Sequence, residues 1–124
     1  MAELLTPREV ETVDRTTAPV LLTTTAATVV QTVTPVITMM ITVILSVIVQ
    51  TAATDVTITV TFTDPVTGSQ KSLTPATFNG GAVAVGAADA AVHAYVQGGS
   101  PVTVSATAGT ANQVSVSVAT TAHP

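Results

Sequence analysis

The sequence lacks cysteine and tryptophan, and it contains very little charge. The absence of Cys excludes disulfide scaffolds, thiolate catalysis and Cys-ligated zinc. Three Lys and Arg residues cannot supply the basic surface that nucleic-acid binding requires. Aromatic residues make up only 2% of the chain, which leaves few platforms on which sugars or bases could stack.

The residues that are abundant are Thr, Val and Ala, with 26, 22 and 19 copies. Apolar residues make up 47% of the 124 residues and charged residues only 8%, against an average charged fraction near ~25%. This composition argues against disorder, which requires low hydrophobicity and high net charge. The length fits one domain with a single buried core.

The charges divide the chain into two parts. Six of the ten charged residues lie within residues 1–15, and the remaining 109 residues carry four. We therefore predict an N-terminal arm over 1–19 and one β-sandwich domain over 20–124. The arm is acidic and lacks a basic region before an apolar run, so no secretory signal is expected.

The arm contains Thr6-Pro7-Arg8-Glu9, which has the order of a capping box with proline at the first helical position. It is therefore expected to be either extended or a short helix near residues 7–15, although nine residues are marginal for a helix without a docking surface. An arm of this kind either anchors on a neighbouring subunit or is a frayed terminus. Its candidate interaction residues are the apolar ones, Leu4, Leu5, Val10 and Val13.

From residue 16 onward the hydrophobic period is two, which predicts strands with one buried face. In residues 56–63, Val, Ile and Phe alternate with Thr throughout. Further strands are expected at 20–22, 28–33, 82–85, 92–96, 102–105 and 114–118, separated by Gly, Pro, Asn and Asp turn signals. The fold class is therefore all-β, an antiparallel β-sandwich of seven to eight strands, either Ig-like or jelly-roll.

Residues 36–49, VITMMITVILSVIV, are the most apolar part of the chain. Thr38, Thr42 and Ser46 interrupt the stretch, whereas a membrane-spanning helix needs ~20 predominantly apolar residues. Val and Ile favour strands. We therefore predict a long central strand, bent or bulged midway, and keep a membrane helix as the alternative.

The titratable residues do not form a pattern of catalysis or metal binding. His93 lies in a strand candidate without a second histidine at ligand spacing. Asp55, Asp64 and Asp89 are dispersed at turns, whereas a calcium loop needs closely spaced oxygen ligands. We interpret Asp64 as a turn former. No catalytic residue, metal or cofactor is predicted, and the chain is not expected to be an enzyme.

The predicted outward positions are Thr, Ser and Ala with almost no charge. Soluble monomers usually carry charged surfaces, and their sheet edges carry Lys or other blocking residues. The part of the chain after residue 15 has one Lys. This predicts a protein whose edges and faces are covered in an assembly, as in a trimer or a lattice.

Two stretches carry a family resemblance. Residues 34–68 place a long apolar strand, a small-residue turn and a Thr-alternating strand in succession, and residues 93–109 place a Gly-Gly turn before a Pro-Val-Thr-Val segment. Together they resemble small Thr/Val-rich β-sandwich virion proteins of tailed bacteriophages, over roughly residues 30–120. Phe62 stands where an aromatic such as Trp is common in that family.

The resemblance implies a non-enzymatic structural protein of a phage virion, a capsid decoration (cement) or head-fibre subunit assembled in the host cytoplasm. The expected partners are other copies of itself, as a homotrimer, and the major capsid protein or another virion protein. No nucleic acid, membrane or small-molecule substrate is expected. The alternative is an Ig-like recognition module that binds a glycan or host receptor through loops at 64–70, 79–82, 97–101 and 108–112.

Overall fold

The computed structural model describes residues 11–123, with side chains for residues 14–122, and it consists almost entirely of β-strands. A 3-10 turn at Ala76–Phe78 lies between the sixth and seventh strands. The strands in chain order are β1 (Glu11–Arg15), β2 (Val20–Leu21), β3 (Thr28–Val33), β4 (Met39–Val49), β5 (Thr54–Thr63), β6 (Gln70–Leu73), β7 (Asn79–Val83), β8 (Gly86–Val96), β9 (Val102–Ala108) and β10 (Val114–His123).

The strands form two five-stranded antiparallel sheets. Sheet A has the order β1-β10-β4-β8, with β2 also paired to β10, and sheet B has the order β3-β9-β5-β6, with β7 also paired to β5. Because β1 and β2 share one position and β6 and β7 share another, there are eight strand positions. The predicted β-sandwich is therefore confirmed.

The strand order also decides between the two topologies that the sequence leaves open. Sheet A contains the first, third, sixth and eighth strand positions, and sheet B contains the other four. An Ig sandwich groups its first, second, fourth and fifth strands in one sheet. The observed order is instead that of an eight-stranded jelly roll built from two packed sheets.

The core lies between the sheets and follows from the alternation in the sequence. On β5 the apolar residues are buried, and the Thr residues from Thr57 to Thr63 are half-exposed. The apolar residues at odd positions of β4 pack against them from sheet A. Phe78, the largest fully buried side chain, enters the same core from the 3-10 turn.

One polar pair crosses between the sheets inside the core. The hydroxyl of Thr120 on β10 donates a hydrogen bond to the Oε1 atom of Gln31 on β3, and both side chains are buried. The Nε2 atom of Gln31 has no hydrogen-bond partner among the described residues. The pair joins a strand of sheet A to the edge strand of sheet B.

The predicted central strand is present as β4, and it contains no bulge. Its pairing with β8 runs without a register shift from Met39 to Val49, and its pairing with β10 from Met40 to Val49 is equally regular. Because β4 is paired regularly on both sides, it has no position where an extra, bulged residue could lie. Within residues 11–123, no helix is long and apolar enough to cross a membrane.

The arm is extended where the structure describes it. A helix reaching residue 15 is wrong, because residues 11–15 form β1 and pair with the last strand, β10. Pairing with an existing strand provides the backbone partners and contacts that an isolated two-turn helix lacks. Leu4, Leu5 and Val10 lie outside the described residues, and only the backbone of Val13 is described.

Candidate interaction surfaces

The outward face of sheet A carries a row of exposed apolar side chains with small polar residues between them. On β4, Met40, Ile44 and Ile48 alternate with Thr42 and Ser46 on the side opposite to the core. Tyr95 of β8 lies opposite Met40, and Leu21 of β2 and Ile48 lie on either side of Ser115. We call this diagonal set the apolar stripe; its members are Leu21, Ile48, Ile44, Met40 and Tyr95.

The side chains of the apolar stripe are 36–57% exposed, and they make up five of the eleven exposed large hydrophobic residues among those described. The neighbours of the two isoleucines across the sheet are small: Ile44 lies between Ala91 and Ala119, and Ile48 lies between Ala87 and Ser115. Small neighbours cannot cover a branched side chain, so the stripe stays in contact with water. Exposed apolar residues that gather on one face, rather than lying scattered over the surface, are candidates for an interaction site.

A shallow depression of about 260 Å³ lies beside the apolar stripe. Its walls include Arg15, Ile44 and Ser117, and it is open to solvent. The lining residues from β10 are Ser117, Val118 and Ala119. An open, shallow and mostly apolar depression fits a protruding side chain of a partner protein better than an enclosed small molecule, because ligand pockets bury most of their ligand.

His93 lies on the same face and is held by one hydrogen bond. Its Nδ1 atom is 2.9 Å from the hydroxyl of Thr42 on β4. The ring is otherwise exposed on β8. The bond fixes the ring on the sheet surface and leaves Nε2 as its second polar atom.

The outward face of sheet B has a different chemistry. The strand registers place hydroxyl residues side by side on adjacent strands, with Thr61 between Thr103 and Ser72, and the Thr61 and Ser72 hydroxyl oxygens are 3.2 Å apart. Cross-strand pairs of Thr and Ser stabilise a sheet by hydrogen bonding. We call this surface the hydroxyl face; its members are Thr32, Thr57, Thr59, Thr61, Thr63, Ser72, Thr103, Ser105 and Thr107.

Asp64 organises the turn between β5 and β6, as the sequence predicts. One carboxylate oxygen accepts the Val66 N–H at 3.2 Å, and the other accepts the Thr67 hydroxyl at 2.9 Å and lies 3.0 Å from the Lys71 ammonium nitrogen. The Lys71 side chain and the Val66 N–H lower the pKa of Asp64 from 3.8 to about 2. These contacts identify Asp64 as a structural residue.

The four loops of the recognition alternative do not form one surface. Gln97 donates its N–H to the Thr63 carbonyl, so the loops at 97–101 and 64–70 share one end of the sandwich. Gly109 donates its N–H to Asp55, at the other end of β5, so the loop at 108–112 lies there. The expectation of a loop at 79–82 is wrong, because these residues belong to β7 and pair with β5 at the end near Asp55.

The acidic residues also remain apart. Asp55 and Asp64 lie at opposite ends of β5, and Asp89 lies on β8 in the other sheet. Within the described part of the chain, no group of three or more His, Cys, Asp or Glu side chains could hold a metal ion. The surfaces available for function are therefore the apolar stripe, the hydroxyl face and the sheet edges.

The apolar stripe could have been predicted from the sequence of the central strand, but the prediction considered only its buried face. A buried strand with one outward face is expected to alternate apolar and polar residues. In β4 every second outward residue is also apolar, namely Met40, Ile44 and Ile48. An apolar residue at every fourth position of the strand, which is every second outward position, therefore marks the apolar stripe.

No family model matches the chain, and no curated protein matches it. Among solved structures, the chain is similar to the CBM22-1 and GH10 modules of Clostridium thermocellum endo-1,4-beta-D-xylanase 10B, complexed with xylohexaose, with 14% sequence identity and a TM-score of 0.48. The similarity covers 74% of this chain and 17% of the xylanase chain. This chain therefore corresponds to well under two thirds of the length of that protein.

Proposed function

We propose that this chain is a non-enzymatic structural protein of a phage virion, a capsid decoration (cement) or head-fibre subunit that binds a neighbouring virion protein through the apolar stripe. The observation that carries the proposal is the run of Met40, Ile44 and Ile48 exposed on the central strand of sheet A. The virion context rests on the sequence resemblance over roughly residues 30–120.

The energetics favour a covered stripe. Burying apolar surface contributes about 25 cal/mol per Å², or roughly 1.5–3 kcal/mol for a large aliphatic side chain that is fully transferred from water. Only part of each stripe residue is exposed, so each gains a fraction of that value. A single contact of this size is weak, but many identical subunits on one particle strengthen its shell together.

The face around the apolar stripe has few charges that would oppose burial. Among the described residues, its charged side chains are Arg15 beside the depression and Asp89 on β8. The central positions between them are Ser, Ala, Thr and the stripe residues. A partner can therefore cover the centre of the face without removing the water from an unpaired charge, which is the costly step in forming an interface.

The test uses phage particles assembled with the chain or a variant of it. Ile44→Lys combined with Ile48→Lys places two charges in the apolar stripe, while both positions are exposed in the isolated chain. We expect the variant to fold and its incorporation into particles to fall by at least about ten-fold, because burying an unpaired charge is costly. Particles lacking the chain are expected to burst at a lower temperature than complete particles.

Val29→Lys is the matched control, because Val29 is 59% exposed but belongs to β3 in sheet B. It is expected to incorporate normally. Normal incorporation of the Ile44→Lys/Ile48→Lys variant would contradict binding through the apolar stripe, and unchanged particle stability without the chain would remove the cement role. Binding of the isolated chain to glycans or host cells would instead favour the recognition module.

A further inference from the structure

The four edges of the two sheets differ in how they are protected. A free strand edge presents unpaired N–H and C=O groups, and proteins usually block it with short strands, bulges, Pro or Lys. At three of the edges such devices are present. Strands β1, β3 and β7 each contain or face a register shift, and β6 has four residues, including Lys71.

Strand β8 is the exception. It runs for eleven residues, contains no Pro or Lys, and pairs with β4 without a register shift over its whole length. Among the described residues, β4 is its only strand partner. Ala88 and Ala90 point toward the core but remain only half-buried, which agrees with an edge that nothing covers.

Self-pairing of β8 has one register that uses the whole strand. When two copies of one strand pair antiparallel about a twofold axis, the numbers of any two opposite residues add up to the same value. If residues 86–96 of both copies overlap fully, residue 86 lies opposite residue 96, and the axis passes at Ala91. This register places Asp89 of each copy opposite His93 of the other copy, so the pair occurs two times in the dimer. Hydrogen-bonded polar pairs at directly opposed positions stabilise a sheet, and like charges destabilise it.

The two partners are available for such a pair. Asp89 and His93 are both exposed on the outward face of sheet A, and Asp89 takes part in no ion pair with the described residues. The Nδ1 atom of His93 is engaged by Thr42, which leaves Nε2 as the ring nitrogen that can contact the Asp89 carboxylate of the second copy. The residue on the axis is Ala91, and the inward residues beside it are Ala90 and Val92. None of them is charged or long, which permits close approach of the two backbones.

We propose that β8 pairs with β8 of a second copy of this chain across a twofold axis at Ala91, joining two five-stranded sheets A into one continuous sheet. The full overlap and the Asp89–His93 complementarity select the same register independently. The inference goes beyond the virion proposal, because it concerns the chain alone. It replaces the trimer expected from the sequence by a dimer.

The absence of cysteine allows a direct test with single-cysteine variants of the full chain. With Ala91→Cys, the two Cβ atoms would lie about 4.5–5.5 Å apart, close to the ~3.5–4.5 Å of a disulfide. We expect mild oxidation to convert this variant to a covalent dimer. Ala87→Cys is the matched control on the same strand and face, and its two copies would lie roughly 27 Å apart, so no cross-link is expected.

Sedimentation of the unmodified chain over about 1 µM to 1 mM, a range that spans moderate affinities, is expected to show a species of twice the 12.4 kDa chain mass. Ala91→Lys should raise the dimer dissociation constant by roughly ten-fold or more, because it places two like charges on the axis. The Ile44→Lys/Ile48→Lys variant should still dimerise, which separates this test from that of the proposed function. A monomer or trimer throughout, equal cross-linking at positions 87 and 91, or a dimer unaffected by Ala91→Lys would overturn the proposal.

Discussion

At the scale of single residues, Asp64 shows how one carboxylate can fix a turn in a chain with very few charges. Its two oxygens receive the Val66 N–H and the Thr67 hydroxyl, and one of them also contacts Lys71. Together these contacts lower its pKa from 3.8 to about 2. A carboxyl group that is more acidic in the folded chain than in the unfolded chain stabilises the fold in its ionised form.

The sign of the pH dependence follows from this shift. The contribution of Asp64 to the free energy of unfolding is complete above pH 3.8 and is lost as the pH falls through about 2. We expect Asp64→Asn to lower the melting temperature at pH 7 and to have much less effect below pH 2. Asp55→Asn, at an exposed carboxylate, is the control and should change stability little at either pH. An equal loss for Asp64→Asn at both pH values would contradict the assignment.

At the scale of elements, the sequence predicted those strands that have one buried face and one polar face. Strand β3 was predicted with its observed bounds, and the alternating part of β5 lies within the observed strand. In β5 the period of two is direct evidence of burial on one side, whereas β3 buries Gln31 and exposes Val29. The first half of β8 was missed, because Gly86 to Ala91 is small-residue sequence whose strand conformation comes from pairing with β4.

The strand order could not be derived from the sequence in the same way. It depends on pairings between distant segments, such as β4 with β10, which no local pattern encodes. The burial of Phe78 follows from the same topology, since the 3-10 turn packs against β5 and β7. For the same reason the apolar stripe becomes a single surface only when Leu21 and Tyr95 are brought beside β4.

The turn between β8 and β9 supplies a test of element packing. Gly98 lies against the loop before β4, where a Cβ atom would be 2.5 Å from the carbonyl carbon of Ile37. Its N–H donates to the Thr38 hydroxyl at 3.1 Å, and the Gly99 N–H donates to the Pro35 carbonyl at 2.7 Å. Gly98→Ala must therefore displace backbone and weaken both bonds. We expect it to lower the free energy of unfolding by about 1–3 kcal/mol.

Gly81→Ala is the control for this substitution. Gly81 lies in β7 with nothing within 4 Å of an added Cβ atom and without a positive φ. It should be neutral or stabilising by up to about 1 kcal/mol, because alanine restricts the unfolded chain. The free energy of unfolding of both variants is measured by denaturant unfolding, and the comparison requires that the m-value is unchanged. Equal effects of the two substitutions would show that the turn can move away from residues 35–38 without cost.

At the scale of the whole molecule, the jelly roll brings the beginning and the end of the described chain together. Strand β1 pairs with β10, and Glu11 lies opposite Ala122, a separation of roughly 5 Å between Cα atoms. Strand β10 also pairs with β4 and lies in the middle of sheet A. Sheet A therefore depends on strands from both ends of the sequence, and its completion requires long-range pairing, which makes folding slow.

Because the pairing of β1 with β10 brings residues 11 and 122 together, we predict that the chain can be circularly permuted without changing the fold. A circular permutant that joins Pro124 to Met1 and opens between Ala52 and Ala53 keeps every strand intact, because those residues form an exposed loop between β4 and β5. It should keep a β-rich circular dichroism spectrum and unfold cooperatively within about 2 kcal/mol of the parent, because moving a loop closure changes little entropy. A permutant opened between Gly98 and Gly99 disrupts the turn packed on residues 35–38 and should be much less stable. If the first permutant failed to fold while the second folded, the loop between β4 and β5 would be needed for folding, and the turn packed on residues 35–38 would not.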